Sequence, residues 1–254
     1  MAELPDPRES LTHGKRGKVI WLSRVGRLTC PRAAARLTYP LTTMATIQGR
    51  IITIGVTGAS GAILAQKALT LLDEDARVAR IHLVVSETGQ RLFSEELGIT
   101  SGDLKKLSNR ILGRASKKIE TISNKDVGAS IASGSYAVDA MVVMPCTMGA
   151  LAAIANGISD DLISRAADVI LKENRKLVLC VRDTPFNRIH IENMLRAQQA
   201  GAVIMPVVPA FYFKPKSIDE IITQYVCRVL AQCGLPQEAM YRWAGTSASH
   251  RAES

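Results

Sequence analysis

Ile51-Ile52-Thr53-Ile54-Gly55-Val56 runs into Thr57-Gly58-Ala59-Ser60-Gly61-Ala62 and then into Ile63-Leu64-Ala65-Gln66-Lys67-Ala68-Leu69-Thr70-Leu71-Leu72. The first six residues are a β-branched apolar run, the next six a turn of small residues, and the last ten an apolar-periodic helix. This is a strand-turn-helix unit. Gly58 and Gly61 allow a tight turn and a close ligand approach, and the first N–H groups of the helix form an anion seat. The spacing does not match the Gly-x-Gly-x-x-Gly dinucleotide pattern. A plain βα turn with Ser60 capping the helix is the other reading of the same residues.

Outward from this unit, apolar runs recur at strand-helix intervals. Strands are predicted at 51–56, 81–85, 141–144, 177–181 and 202–205. Helices are predicted at 62–72, 88–97, 148–155, 160–174, 187–199 and 218–232, with a short one possible at 103–112. The remainder of 98–135 reads as irregular, with 130–135 a loop of small residues. Nearly continuous Val/Ile/Leu strands alternating with periodic helices predict a doubly wound α/β fold of Rossmann or flavodoxin-like type, a three-layer sandwich on a mainly parallel sheet. In such folds ligands sit beyond the carboxyl ends of the strands.

The chain has 254 residues, 47% of them apolar, and a formal charge of +9. Residues 1–47 hold eight Lys/Arg against three acids, so +5 of that charge belongs to the leader and the rest of the chain is only mildly basic. The folded body is therefore not expected to bind nucleic acid. No apolar run approaches the ~20 residues of a membrane span. Five cysteines without a Cys-x-x-Cys pair argue against zinc and a disulfide framework and fit a reducing, cytoplasmic setting.

Residues 1–48 lack periodicity and read as a disordered basic leader. A transit peptide, and with it a mitochondrial matrix address, is opposed by the acids at positions 3, 6 and 9. Translation from Met44 is the favoured reading, which would leave the segment outside the protein. The domain proper is expected at 49–245, with a tail at 246–254.

The predicted strand ends carry small and polar residues: Ser86, then Pro145-Cys146-Thr147-Met148-Gly149-Ala150, then Arg182-Asp183-Thr184-Pro185, then the 206–215 loop with Phe211, Tyr212 and Phe213. Cys146 has no His placed to activate it and reads as a small buried group. His82 and His190 read as structural. The cations are more informative. Arg165 and Lys172 fall on one helix face with Asp168 between them, which by itself suits a solvated ion-pair stripe. Arg182 at a strand end and Arg228 among Val226, Cys227, Val229 and Leu230 are charges in apolar settings, where a partner or an anionic ligand is expected.

Taken together, these segments resemble the UbiX-type flavin prenyltransferase family over almost all of 51–245. The matching text is Thr-Gly-Ala-Ser-Gly-Ala at 57–62, Ala-Ser-Gly-Ser at 132–135, Met-Pro-Cys-Thr-Met at 144–148, Arg-Ala-Ala-Asp-Val-Ile-Leu-Lys-Glu at 165–173, Ile-His-Ile-Glu-Asn-Met-Leu at 189–195 and Pro-Ala-Phe-Tyr at 209–212. The resemblance implies a metal-independent transferase that joins the dimethylallyl group of dimethylallyl monophosphate to N5 and C6 of reduced FMN. The product, prenylated FMN, serves UbiD-type decarboxylases in ubiquinone biosynthesis or aromatic acid decarboxylation.

By the same resemblance FMN is held by Gly58, Ala59, Ser60, Ser86, Thr147, Met148, Gly149, Ala150 and Arg182. The prenyl phosphate is held by Lys172, Arg182, Tyr212 and Arg228. Ser60, Asp183, Arg165 and Lys172 take catalytic roles, and a homo-oligomer, a dodecamer, brings the set together from more than one subunit. Asp183 stands where the family usually has Glu, and Thr147 where it usually has Ser. Glu96 aligns with a family acid near the site, while from its own sequence context it is a helix-surface charge. A flavin-dependent cysteine decarboxylase would share the fold, but it calls for a His near the glycine turn and a Pro-x-Ser-Ala-Asn-type segment, and neither is visible.

Overall fold

The computed structural model describes residues 49–100 and 102–243. The leader, its Met44, Cys30 and the tail 246–254 lie outside the described residues. Six strands, β1 (Arg50–Val56), β2 (Val78–Val85), β3 (Ile119–Ser123), β4 (Ala140–Cys146), β5 (Lys176–Val181) and β6 (Val203–Ile204), form one sheet. Its order is β3-β2-β1-β4-β5-β6, and every described pairing is parallel. The chain winds outward through β2 and β3, returns beside β1 as β4, and winds outward again. The β1/β4 junction is therefore the topological switch point, the place where such sheets open a ligand crevice.

Seven helices cover the sheet: α1 (Ala62–Glu74), α2 (Glu87–Leu97), α3 (Leu104–Leu112), α4 (Met148–Ala155), α5 (Leu162–Lys172), α6 (Arg188–Gln199) and α7 (Ile218–Gln232). Strand alternation divides the core into two layers. Ile52, Ile54 and Val56 join Ala140, Val142, Met144, Val178 and Cys180 on the face covered by residues of α1 and α7. Met141, Val143, Leu177, Leu179 and Val181 point the other way, against Ile163, Ala166 and Ile170 of α5. Because both faces are covered, these strands read as unbroken apolar runs. Gly55 faces α5 with no side chain to spare, since a Cβ there would stand 3.3 Å from Ile163.

Two expectations need correction. Residues 98–135 are not wholly irregular, because Ile119–Ser123 forms the edge strand β3 paired with β2. Ser60 does not cap α1: the N-cap is Gly61 at φ 127°, and no side chain of its own caps the helix. A left-handed backbone of this kind is what glycine supplies.

Candidate active site

Thr57 staples the switch point. Its hydroxyl donates to the Pro145 carbonyl at 2.8 Å and accepts from the Thr147 N–H at 2.8 Å, fixing the loop after β1 to the loop after β4. Ser86 and Thr147 each cap the helix that follows them, Ser86 accepting from Gly89 N–H at 3.0 Å and Thr147 from Ala150 N–H at 3.1 Å. Thr57, Ser86, Thr147, Gly149 and Ala150 line one cleft of 240 Å³. Three strand-end residues and the first turn of α4 thus share a surface of hydroxyls and tiny side chains, on which a flat ring and a polar chain can lie.

The α1 N-terminus is already occupied. Glu96, at the end of α2, accepts from Gly61 N–H at 3.0 Å and from Ala62 N–H at 2.8 Å. Burial raises the Glu96 pKa, but the Ser60 hydroxyl, these two N–H groups and the charge of Arg182 outweigh it and hold the acid below its ordinary value. This overturns the expectation that the first N–H groups of α1 wait for a phosphate, because a carboxylate of the chain itself sits there. Ser60 is consequently turned toward Glu96. Asp183 is engaged separately, accepting from Thr184 N–H at 2.9 Å.

Arg182 follows β5, and its N–H donates to the Cys146 carbonyl at 3.1 Å. Its Nε is buried with no hydrogen-bond partner among the described residues. With Ser60 and Gly61 it lines an apolar pocket of 370 Å³ walled by Val207, Val208, Ile221 and Tyr225. An orphaned guanidinium nitrogen is costly unless an acceptor meets it, so this pocket fits a ligand carrying an acceptor or an anion. Such a ligand is what a flavin beside a phosphate ester would be. A second pocket of 280 Å³ shares the Val208, Ile221 and Tyr225 wall and holds Tyr212 and Arg228, whose Nη1 donates to the Tyr212 hydroxyl at 3.3 Å.

Arg165 and Lys172 line neither of these pockets. On α5 Arg165 pairs with Asp168 at 2.9 Å and also donates to the Ala132 carbonyl, while Lys172 pairs with Glu173 at 2.5 Å. Within one chain they stay with their own acids and do not join Tyr212 and Arg228. Gly58 and Ala59 stand in the loop after β1, Ala59 buried and Gly58 exposed, and Met148 opens α4 just after the loop that follows β4.

Cys146 is fully buried, and burial pushes its thiol up to about 12, so it is a packing group. His82 is also fully buried, with Nε2 3.0 Å from the Tyr136 hydroxyl, and burial lowers its pKa. His190 helps cap α6 with Asn187. Among the described residues no cluster of His, Cys, Asp or Glu is arranged to hold a metal ion. Sequence reasoning gave no role to Thr57, and none to Tyr241 and Trp243, whose rings lie 5.6 and 6.1 Å from that of Tyr212. Two aromatics so close to the chain end were the available signal.

A family model described as Flavoprotein matches residues 41–229. The flavin prenyltransferase UbiX of Halalkalibacterium halodurans is 40% identical over 206 residues, covering 81% of this chain and 98% of that protein. Among solved structures, that of AnUbiX (PadA1) in complex with FMN and dimethylallyl pyrophosphate matches with a TM-score of 0.68 at 41% identity, over 78% of this chain and 98% of the other. A dodecameric FMN-dependent UbiX-like decarboxylase from Escherichia coli O157:H7 matches with a TM-score of 0.69 at 38% identity, over 77% of this chain and all of the other.

Proposed function

The chain belongs to the UbiX-type flavin prenyltransferase family, and we propose that its two adjoining pockets and the switch-point cleft carry that family's reaction. The reaction joins the dimethylallyl group of dimethylallyl monophosphate to N5 and C6 of reduced FMN, and the prenylated flavin serves UbiD-type decarboxylases. Reduced FMN supplies the nucleophilic ring positions; this chain supplies the seat, the charge and the exclusion of water. Gly58, Ala59, Ser60, Ser86, Thr147, Met148, Gly149, Ala150 and Arg182 are the flavin seat in this reading.

The observation that carries the reading is the buried, unpartnered Nε of Arg182 beside Ser60, one shared wall away from the Arg228–Tyr212 pair. Breaking the allylic C–O bond leaves positive charge on carbon and a departing phosphate. Arg182, Arg228 and the Tyr212 hydroxyl stabilise that phosphate as its charge grows. The apolar wall of Val207, Val208, Ile221 and Tyr225 keeps water from the cationic carbon. In this reading Ser60, whose hydroxyl is held by Glu96, and Asp183 move the N5 proton.

Arg165 and Lys172 are assigned to the phosphate site of a neighbouring copy, since their own chain keeps them away from it. This agrees with a homo-oligomer, and a dodecamer like that of the E. coli relative is the proposed form. No helix among the described residues is long and apolar enough to cross a membrane. A cytoplasmic address is proposed, and cell fractionation that finds the chain in an organelle would overturn it.

Arg228→Ala tests the assignment of the phosphate site. Losing a charge-assisted contact costs about 1.5–3 kcal/mol, so KM for dimethylallyl phosphate should rise roughly tenfold or more with FMN affinity unchanged. A protein that only carried FMN would be indifferent to the change.

A further inference from the structure

Gln224 lies on α7 one turn before Arg228, so the two share a helix face. Its amide does two things at once. Nε2 donates to the Ala239 carbonyl at 2.6 Å, and Oε1 accepts from the Tyr241 N–H at 2.6 Å. One side chain thereby pins the backbone of the segment after α7 at two points. That segment carries Tyr241, whose ring is 5.6 Å from Tyr212 and 6.1 Å from Phe213, and Trp243, whose ring meets Tyr212 edge-on at 6.1 Å. Tyr212 in turn accepts from Arg228. The contacts close a ring from α7 through the pinned segment and Tyr212 back to α7. Tyr212 is 48% exposed, so the rings on the pinned segment supply much of what fixes its orientation.

We propose that Gln224 is a positioning residue for the prenyl-phosphate site: it ties residues 239–243 across Tyr212 so that the phenol stays on Arg228. The inference rests on the assignment of Tyr212 and Arg228 to the prenyl phosphate. It adds a residue that lines the same pocket and, by holding residues 239–243, sets how ready the site is to bind. The Gln amide offers a donor and an acceptor on separate atoms at this reach. Glu keeps the acceptor for Tyr241 N–H and loses the donor to Ala239, and Ala loses both.

The test is steady-state kinetics on the full chain with dimethylallyl phosphate as the varied substrate, beside FMN affinity and the thermal midpoint. Gln224→Ala should raise KM for the prenyl phosphate roughly five- to tenfold, since two lost bonds of ordinary strength amount to about one decade. Its kcat, FMN affinity and midpoint should stay close to wild type, and Gln224→Glu should fall between. Tyr212→Phe keeps the ring and removes the hydroxyl. If Gln224 acts through that hydroxyl, adding Gln224→Ala to Tyr212→Phe should raise KM by less than twofold further.

An unchanged KM in Gln224→Ala, a full additional rise in the double variant, or an equal loss of FMN affinity would each overturn the inference. Arg228→Ala separates the two levels. If it raises KM while Gln224→Ala does not, the positioning role fails alone; if it too leaves KM unchanged, the assignment beneath it fails.

Discussion

Glu96 occupies the turn that the glycines prepare. A carboxylate there meets the partial positive charge of the α1 N-terminus as well as two N–H donors. Glu96→Gln keeps an acceptor and loses the charge, so stability at neutral pH should fall by about 0.3–1 kcal/mol. The folded pKa lies below the ordinary 4.5, so the charge's contribution is complete above that value. As pH falls through the depressed folded value, the gap between wild type and Glu96→Gln should close. Urea unfolding at neutral pH and near pH 3 checks this, and a gap of equal size at both would contradict it. Ser60 shows the limit of reading at this scale. Its small hydroxyl before the helix suggested a cap that it does not form, and the acid that takes the Gly61 N–H lies 35 residues away in sequence, beyond local pattern. Arg182 was legible, because a charge at the end of an apolar strand has few purposes.

Elements were legible in proportion to their burial. β1, β4 and β5 are covered on both faces and appear in the sequence as apolar runs. β3 is an edge strand, Ile119-Glu120-Thr121-Ile122-Ser123, with only two aliphatic residues and none fully buried, so it lacks the run that betrays the others. The start of α2 makes a demand that side-chain movement cannot relieve, because the nearest atom is backbone. A Cβ on Gly89 would stand 2.6 Å from the Val56 carbonyl and 3.0 Å from Val85, both in strands that cannot yield. Gly89→Ala should cost about 1–3 kcal/mol. Gly102, with nothing within 4 Å, is the control, and Gly102→Ala should stay within about 0.5 kcal/mol of wild type. Thermal unfolding of the two variants decides; equal midpoints would show that α2 can back away from β1.

At the scale of the whole molecule, the separation of Arg165 and Lys172 from Tyr212 and Arg228 points to assembly. So do the exposed apolar side chains of α6, Ile189 at 65% and Leu195 at 56%, and Ile218 at 74% at the start of α7. If a site draws Lys172 from one copy and Arg228 from another, Lys172→Ala and Arg228→Ala should each lose about nine-tenths of the activity measured at dimethylallyl phosphate well below KM. Co-expressed, they should recover up to about a quarter of wild-type activity, the share of interfaces at which random mixing joins two intact partners. No recovery in verified mixed oligomers would place both residues at one copy's site. The resemblance led to the expectation of residues from more than one subunit, but not which residue comes from which copy, because the sequence does not say which face meets a neighbour. The central claim is chemical, and the direct test is mass spectrometry of the flavin after the purified protein is incubated anaerobically with reduced FMN and dimethylallyl monophosphate. A flavin heavier by one C5 unit is the predicted result, and FMN recovered at unchanged mass would contradict it.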